Sequence, residues 1–326
     1  MSTSPFPTSA GGHARLQVRL QSIAYATRDI LVYEFVRPEG GPLPAVDAGA
    51  HVDVHLPNGI TRSYSLLHAG EAPDRYVVGV KRDPNSRGGS RYMHEELRVG
   101  ALLDLSGPRN HFPLAEQAAH TVLIAGGIGI TPILCMAERL EQIGASFELW
   151  YASRSRADLA FLPELARFGA RVRLHVDDEA SAVLDMAAIV ASAPADAHFY
   201  CCGPGPMLAA YEAAAASRAP DTVHLERFGA SQPLPAGGDG FVVALARSGI
   251  ELRVPTDATL LQVLTSNGIA IDSSCEAGIC GCCEVAVLEG EVDHRDEVLT
   301  PAQRAGNRSM MVCCSRAKGT RLVLDL

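Results

Sequence analysis

The sequence lacks any long uninterrupted apolar run. Its most apolar stretch, 121–137, is barely long enough to span a membrane and is broken by three glycines and Pro132. The chain begins with a tail rich in Ser, Thr and Pro, without the charged start and apolar core of a secretory signal. These absences predict a cytoplasmic protein that does not engage membranes.

An excess of positive charge is also lacking. The chain has 28 Lys and Arg against 37 Asp and Glu, a formal net charge of −9. This balance argues against nucleic acid as a partner. The length of 326 residues, with 47% hydrophobic and 20% charged residues, is typical of a globular protein of two or three domains.

The chain divides by pattern into three domains. Residues 13–115 carry short alternating runs separated by turn residues, which predict an antiparallel β-barrel. Residues 116–229 alternate buried strands with helices, which predicts an α/β domain with a parallel sheet. A linker rich in Gly and Pro spans 230–238. Residues 239–326 predict a small α+β domain with one short helix and two late strands.

Cysteines cluster near the end of the chain. Cys275, Cys280 and Cys283 have the C-x4-C-x2-C spacing of a plant-type [2Fe–2S] site, and Cys313 or Cys314 can supply a fourth sulfur. Each iron needs two thiolates, so three sulfurs come from one loop and the fourth from elsewhere. A second C-x2-C pair, expected of a zinc site, is missing. We therefore predict a cluster, with a zinc-stabilised binding protein as the alternative.

The surroundings of these cysteines resemble the C-terminal ferredoxin domain of phthalate dioxygenase reductase-type proteins. The resemblance rests on residues 272–283, 288–296 and 313–317. It implies a β-grasp fold and maps the last ligand to Cys313. Cys282 and Cys314 occupy positions that the family usually fills with other residues, so Cys314 stays open as an alternative fourth ligand.

The resemblance also implies a flavin in the first domain. Residues 62–65, Arg-Ser-Tyr-Ser, resemble the family's flavin motif, with Arg62 facing the phosphate and Tyr64 against the isoalloxazine ring. A later glycine pair would close on the phosphate at a helix start. Its Gly-Gly-Ser form implies FMN, with FAD as the alternative. The predicted flavin-binding residues are Arg62, Ser63, Tyr64, Ser65, Val80, Lys81, Gly88, Gly89 and Ser90.

Two glycine-rich turns end strands of the predicted parallel sheet. They lack the G-x-G-x-x-G fingerprint, but glycines there would let the backbone approach a pyrophosphate. The second turn resembles the family's Cys-Gly-Pro-x-Pro-Met motif beside the nicotinamide, and Phe228 would guard the flavin face. The predicted nucleotide-side residues are Gly126, Gly127, Gly129, Thr131, Cys202, Gly203, Pro204, Met207 and Phe228.

The choice between NADH and NADPH depends on a basic loop. Arg154 and Arg156 follow the second strand of the parallel sheet and could bind a 2′-phosphate. The family implied by the resemblance mostly uses NADH. We therefore predict NADH, with NADPH as the alternative.

The predicted cofactors form one electron-transfer chain. NADH gives two electrons as hydride and a [2Fe–2S] cluster accepts one, so a flavin between them can split the pair. No protein general base is required, because the cofactors carry the chemistry. The expected function is a reductase that passes electrons to a separate terminal oxygenase, a Rieske-type hydroxylase or demethylase. A cytochrome P450 or another acceptor is the alternative.

Overall fold

The computed structural model describes residues 15–84, 86, 88–228 and 240–326. They divide into two units, one over Arg15–Phe228 and one after residue 239. The predicted linker 230–238 lies outside the described residues. Within the described ranges, no helix is long and apolar enough to cross a membrane.

The first unit begins with an antiparallel sheet. Its order is β4-β3-β6-β1-β2-β5, and a bridge between Leu66 and Val78 joins the two outer strands. Alternating apolar residues such as Val18 and Leu20 point into a buried core. The predicted β-barrel therefore matches the observed sheet. Its elements are β1 (Arg15–Thr27), β2 (Ile30–Val36), β3 (His51–His55), β4 (Thr61–Ser65), β5 (Tyr76–Lys81), α1 (Gly89–Glu95) and β6 (Leu102–Arg109).

A parallel five-stranded sheet follows in the same unit, in the order β11-β10-β7-β8-β9. Strand β7 is buried along its whole length, as expected for a central strand with helices on both faces. Its elements are β7 (Thr121–Gly126), α2 (Ile130–Gln142), β8 (Phe147–Ser153), α3 (Leu162–Ala166), β9 (Val172–Val176), α4 (Asp177–Ala180), α5 (Met186–Ser192), β10 (His198–Cys202), α6 (Gly205–Ala215) and β11 (Val223–Glu226).

The barrel and the parallel sheet share one hydrophobic core. Val77 and Phe112 from the barrel side pack in the same cluster as Ile130 and Leu134 of α2. A Cβ atom on Gly79 of β5 would lie 2.9 Å from the Thr131 side chain. The glycine therefore lets β5 of the barrel approach the first turn of α2.

The second unit is a mixed sheet in the order β13-β12-β18-β14-β16, with β15 and β17 paired beside it. Strands β12 and β18 are parallel, and a Thr259–Gln262 capping box starts α7. The prediction of two late strands is wrong, since five strands follow α7. Four of the five are only two to four residues long, too short to show a strand pattern in the sequence. Its elements are β12 (Phe241–Leu245), β13 (Ile250–Val254), α7 (Leu260–Ser266), β14 (Glu284–Glu289), β15 (Val292–Asp293), α8 (Pro301–Gly306), β16 (Ser309–Met311), β17 (Arg316–Ala317) and β18 (Arg321–Leu324).

Candidate functional site

The cysteine loop folds around its own sulfur atoms. The Cys275 sulfur accepts N–H bonds from Ala277 (3.3 Å) and Ile279 (3.4 Å), and the Cys275 N–H donates to the Cys280 sulfur (3.5 Å). Positive φ angles at Gly278 and Gly281 turn these backbone groups inward. Backbone N–H groups aimed at sulfur suit thiolates that bind a metal centre.

Four sulfurs come together in two pairs. The Cys275 thiol interacts with that of Cys280, and the Cys313 thiol interacts with that of Cys283 and lies near Cys275. Two pairs of thiolates are what a cluster of two irons needs.

The two extra cysteines lie against proposed ligands, since the Cys282 thiol interacts with that of Cys280, and they also have other neighbours. The Cys314 sulfur lies 3.7 Å from the Met311 carbonyl and 3.8 Å from the Ser315 hydroxyl, and Cys282 donates weakly to the Cys280 carbonyl at 3.9 Å. Both side chains are buried. The Cys314 thiol also contacts Cys313, so two sulfur atoms lie close together where the fourth ligand of the cluster is expected.

The two predicted parts of the flavin site meet at Arg62. A Cβ atom on Gly89 would lie 2.6 Å from the Arg62 Cγ, and one on Gly88 would lie 2.7 Å from the Ile60 Cδ1. Gly88 is the N-terminal cap of α1 and has a φ of 106°. The absence of a Cβ atom on Gly89 thus allows the Arg62 side chain of β4 to lie against the start of α1.

The other predicted flavin residues flank this point on β4, β5 and α1. Ser63 donates to the Asp53 carboxylate (2.6 Å), and the Val80 carbonyl lies 2.9 Å from the His94 Nε2. Lys81 is exposed. The Ser90 hydroxyl accepts from the Asp83 N–H at 3.2 Å. Burial raises the pKa of Tyr64, which keeps its hydroxyl neutral.

Sequence reasoning missed Glu226, the last residue of β11. Its Oε2 lies 3.4 Å from the Ser65 hydroxyl, so it joins the parallel sheet to the flavin motif. Desolvation raises the pKa of Glu226 to about 8. A carboxyl group that is protonated near neutral pH can donate a hydrogen bond or hold a proton. The one sequence signal for Glu226 was its position two residues before Phe228, which had been predicted to lie near the flavin.

Glu226 should make the free energy of unfolding depend on pH. Its folded pKa (about 8) lies above the ordinary 4.5, so the unfolded chain loses the proton first as pH rises. Stability due to the protonated carboxyl is then present below about pH 4.5 and lost as pH rises to about 8. Relative to Glu226→Gln, the parent should lose up to a few kcal/mol over this window. Thermal unfolding of both proteins from pH 5 to 8.5 measures it, and a constant difference would contradict the assignment.

The two glycine turns of the parallel sheet pack against each other. They follow β7 and β10, which are neighbouring parallel strands with Ala125 opposite Cys202. A Cβ on Gly129 would collide with the Cys202 carbonyl, and one on Gly126 would lie 2.6 Å from the Met207 sulfur and 2.7 Å from Pro204. The predicted residues therefore share one edge of the sheet, where ligands bind in such folds.

The remaining predicted residues differ in exposure. Gly127 begins a short 3-10 turn with a φ of 54°, and the Thr131 hydroxyl donates to the Ile128 carbonyl. A Cβ on Gly203 would lie 2.6 Å from the Met207 sulfur. Cys202 is fully buried, whereas Phe228 is 46% exposed. Phe228 is thus not part of a core.

One of the two arginines in the basic loop after β8 is paired within the protein, whereas Arg154 is exposed. Arg156 makes a bidentate pair with Glu179 at 2.6–2.7 Å, and the Ser155 hydroxyl donates to Asp158. The two N–H donors with which Arg156 could bind a phosphate are therefore bonded to Glu179.

The chain is similar to known proteins over nearly its whole length. Residues 243–318 match the 2Fe-2S iron-sulfur cluster binding domain family. The chain is 51% identical over 319 residues to phenoxybenzoate dioxygenase subunit beta of Ectopseudomonas oleovorans, covering 98% of this chain and 100% of that protein. It is 39% identical to the structure of phthalate dioxygenase reductase, with a TM-score of 0.73 and coverage of 96% and 98%.

A third likeness is to part of a larger protein. The structure of an intact type IV self-sufficient cytochrome P450 monooxygenase aligns with a TM-score of 0.86 and 42% identity. The alignment covers 96% of this chain, which spans 41% of that one.

Fold, cysteine loop and glycine turns together define an iron–sulfur flavoprotein reductase with flavin, NAD and [2Fe–2S] sites. The chain belongs to the phthalate dioxygenase reductase family. It is an oxidoreductase, the electron-transfer component of an oxygenase system.

Proposed function

We propose that this reductase binds FMN, takes hydride from NADH and passes single electrons through a [2Fe–2S] cluster to a Rieske-type oxygenase. The cysteine loop, whose backbone N–H groups point at the Cys275 and Cys280 sulfurs, carries the proposal. When bound, the flavin would accept two electrons and release them singly to the cluster. Flavin release with mass determination, together with iron and sulfide analysis of the purified protein, tests it. A colourless protein would contradict it.

The four cysteines are proposed as the cluster ligands because of their backbone contacts and their sulfur neighbours. Backbone N–H groups stabilise the Cys275 sulfur, and the turn that carries Cys313 brings the fourth sulfur to Cys283. Cys275 is the partly exposed member of the set, and Glu276 beside it is exposed. This end of the loop is therefore the proposed exit for electrons.

FMN is proposed over FAD because one phosphate suits the convergence at Arg62. The guanidinium and the start of α1 lie within a side chain's reach of each other, and Gly88 and Gly89 keep the space between them free of Cβ atoms. Arg62 would hold the phosphate, while Ser65 and Glu226 lie together where β4 and β11 end. Glu226 would then hold a proton beside the Ser65 hydroxyl.

NADH is proposed over NADPH because Arg156, one of the two arginines of the basic loop, is paired with a carboxylate. Glu179 holds the Arg156 guanidinium, and Asp158 lies next to Ser155. Acidic groups at this edge suit a free ribose diol and repel a 2′-phosphate.

Releasing Arg156 should shift the nucleotide preference. Glu179→Gln removes the carboxylate partner and is expected to raise kcat/KM for NADPH relative to NADH about tenfold. Glu164→Gln, at an exposed position of α3, is the matched control. Steady-state reduction of ferricyanide with both nucleotides measures the ratio. An unchanged ratio in Glu179→Gln would show that Arg156 does not contact this part of the nucleotide.

The acceptor is proposed from the relatives. Phenoxybenzoate dioxygenase subunit beta and phthalate dioxygenase reductase match this chain over nearly their whole lengths. The likeness to the P450 monooxygenase makes a P450 the second candidate. Reconstituted NADH-dependent turnover with a Rieske oxygenase and with a P450 separates the two, and coupling to the P450 alone would contradict the proposal.

A further inference from the structure

A buried acid lies behind the cysteine loop. The Asp296 side chain is 0% exposed, and its Oδ2 accepts the backbone N–H groups of Leu299 (2.8 Å) and Val298 (3.2 Å). The Arg304 Nη2 lies 3.8 Å from the same oxygen and also donates to the Asp296 carbonyl. The carboxylate is thus fixed by main chain on one side and by a guanidinium on the other.

The segment that carries Asp296 is bonded to the cysteine loop. The Glu297 N–H donates to the Gly278 carbonyl at 2.8 Å. Gly278 has a φ of 71°, and a Cβ there would lie 3.0 Å from the Asp296 Cα and 2.7 Å from the Cys314 sulfur. A larger residue at Gly278 would force the loop and the segment apart, so the close approach is built into the sequence.

The same segment is bonded to the turn that carries Cys313. The Ser315 hydroxyl lies 3.5 Å from the Asp296 Oδ1 and accepts the Arg295 N–H at 3.2 Å. Asp296 therefore lies between the loop that supplies three of the proposed ligands and the turn that supplies the fourth.

A histidine completes the surroundings of the acid. The His294 side chain is 8% exposed, and its Nδ1 lies 3.6 Å from the Asp296 Oδ1, too far for a hydrogen bond. Among the described residues, neither ring nitrogen of His294 has a hydrogen-bond partner. Arg304 is then the permanent positive charge next to the carboxylate.

We propose that Asp296 is a positioning residue for electron transfer, which holds the cysteine loop against the Cys313 turn and lowers the reduction potential of the cluster. This inference rests on the cluster assignment made under the proposed function. A buried negative charge near the cluster disfavours the added electron, and low dielectric strengthens the effect. Groups outside the ligand set tune metal centres in this way. Arg304 offsets part of the charge.

The test is a redox titration of three variants, each of which removes one charge. Asp296→Asn should favour cluster reduction about tenfold, a positive shift of about 59 mV for a one-electron couple. Arg304→Gln should shift the potential the other way, because it exposes the cluster to the uncompensated carboxylate. Asp293→Asn is the matched control: the side chain is 39% exposed and paired with Arg295, so a much smaller shift is expected.

The outcomes separate this inference from the cluster assignment. A parent protein without a [2Fe–2S] spectrum would end the proposed function itself. A loaded parent in which Asp296→Asn shifts the potential no more than Asp293→Asn would overturn the role of Asp296. If Asp296→Asn does not load the cluster, Arg304→Gln decides through its negative shift. Loss of the cluster from both variants would also overturn the inference, because the network would then be a folding requirement.

Discussion

Replacing Cys313 by serine is expected to abolish the visible absorbance and the EPR signal of the cluster, whereas Cys314→Ser and Cys282→Ser should retain both. The Cys313 thiol interacts with that of Cys283 and lies near Cys275, while the Cys314 thiol contacts Cys313, the Met311 carbonyl and the Ser315 hydroxyl. A cluster with three protein thiolates loses one of the four bonds that hold its irons. Iron content and low-temperature EPR of the three variants measure the effect.

The same series separates the two halves of the reaction. Cys313→Ser should still reduce its flavin with NADH, since the flavin and nucleotide residues lie in the other unit, Arg15–Phe228. Electron delivery to a one-electron protein acceptor should fall to background. An intact cluster signal in Cys313→Ser together with its loss in Cys314→Ser would move the fourth ligand to Cys314.

Replacing Arg62 by alanine is the second change with a large expected effect. The loss of a charge-assisted contact to the phosphate should weaken FMN binding by at least about 30-fold, on the order of 2 kcal/mol. Fluorescence titration of the flavin-free protein measures the dissociation constant. Riboflavin lacks the phosphate, so the affinity of Arg62→Ala for riboflavin should stay close to the parent value. The ratio of FMN affinity to riboflavin affinity should therefore be smaller in the variant.

The control for Arg62 is Arg98→Ala, which makes the same charge change at an exposed arginine that donates to the Leu97 carbonyl. FMN affinity should stay at the parent value in this variant. Equal weakening of FMN and riboflavin in Arg62→Ala would show that the guanidinium supports the barrel rather than the phosphate.

The sequence predicted the elements whose chemistry needs fixed spacing. Three cysteines on one loop, and glycines where two backbones approach, are local requirements that spacing reveals. The barrel and the parallel sheet followed from alternation and from buried runs such as Thr121–Gly126. Short strands such as Val292–Asp293 and Arg316–Ala317 carry too few residues for a period, so the count of late strands was wrong.

Residues that act through partners distant in sequence were not predictable. Glu226 becomes notable because Ser65, 161 residues earlier, lies beside it. Asp296 lies in a stretch that already carried the family resemblance, but only the fold shows its carboxylate between Gly278 and Ser315. Their surroundings are made by tertiary packing, which spacing along the chain does not record.

Anaerobic addition of NADH to the purified protein, followed by absorbance and low-temperature EPR, tests the proposed electron path most directly. We predict bleaching of the flavin bands and the EPR signal of a reduced [2Fe–2S] cluster in the same sample. In protein stripped of its flavin, NADH should leave the cluster oxidised. Reduction of the cluster by NADH without flavin, or flavin bleaching with no cluster signal in iron-loaded protein, would contradict the path from NADH through flavin to cluster.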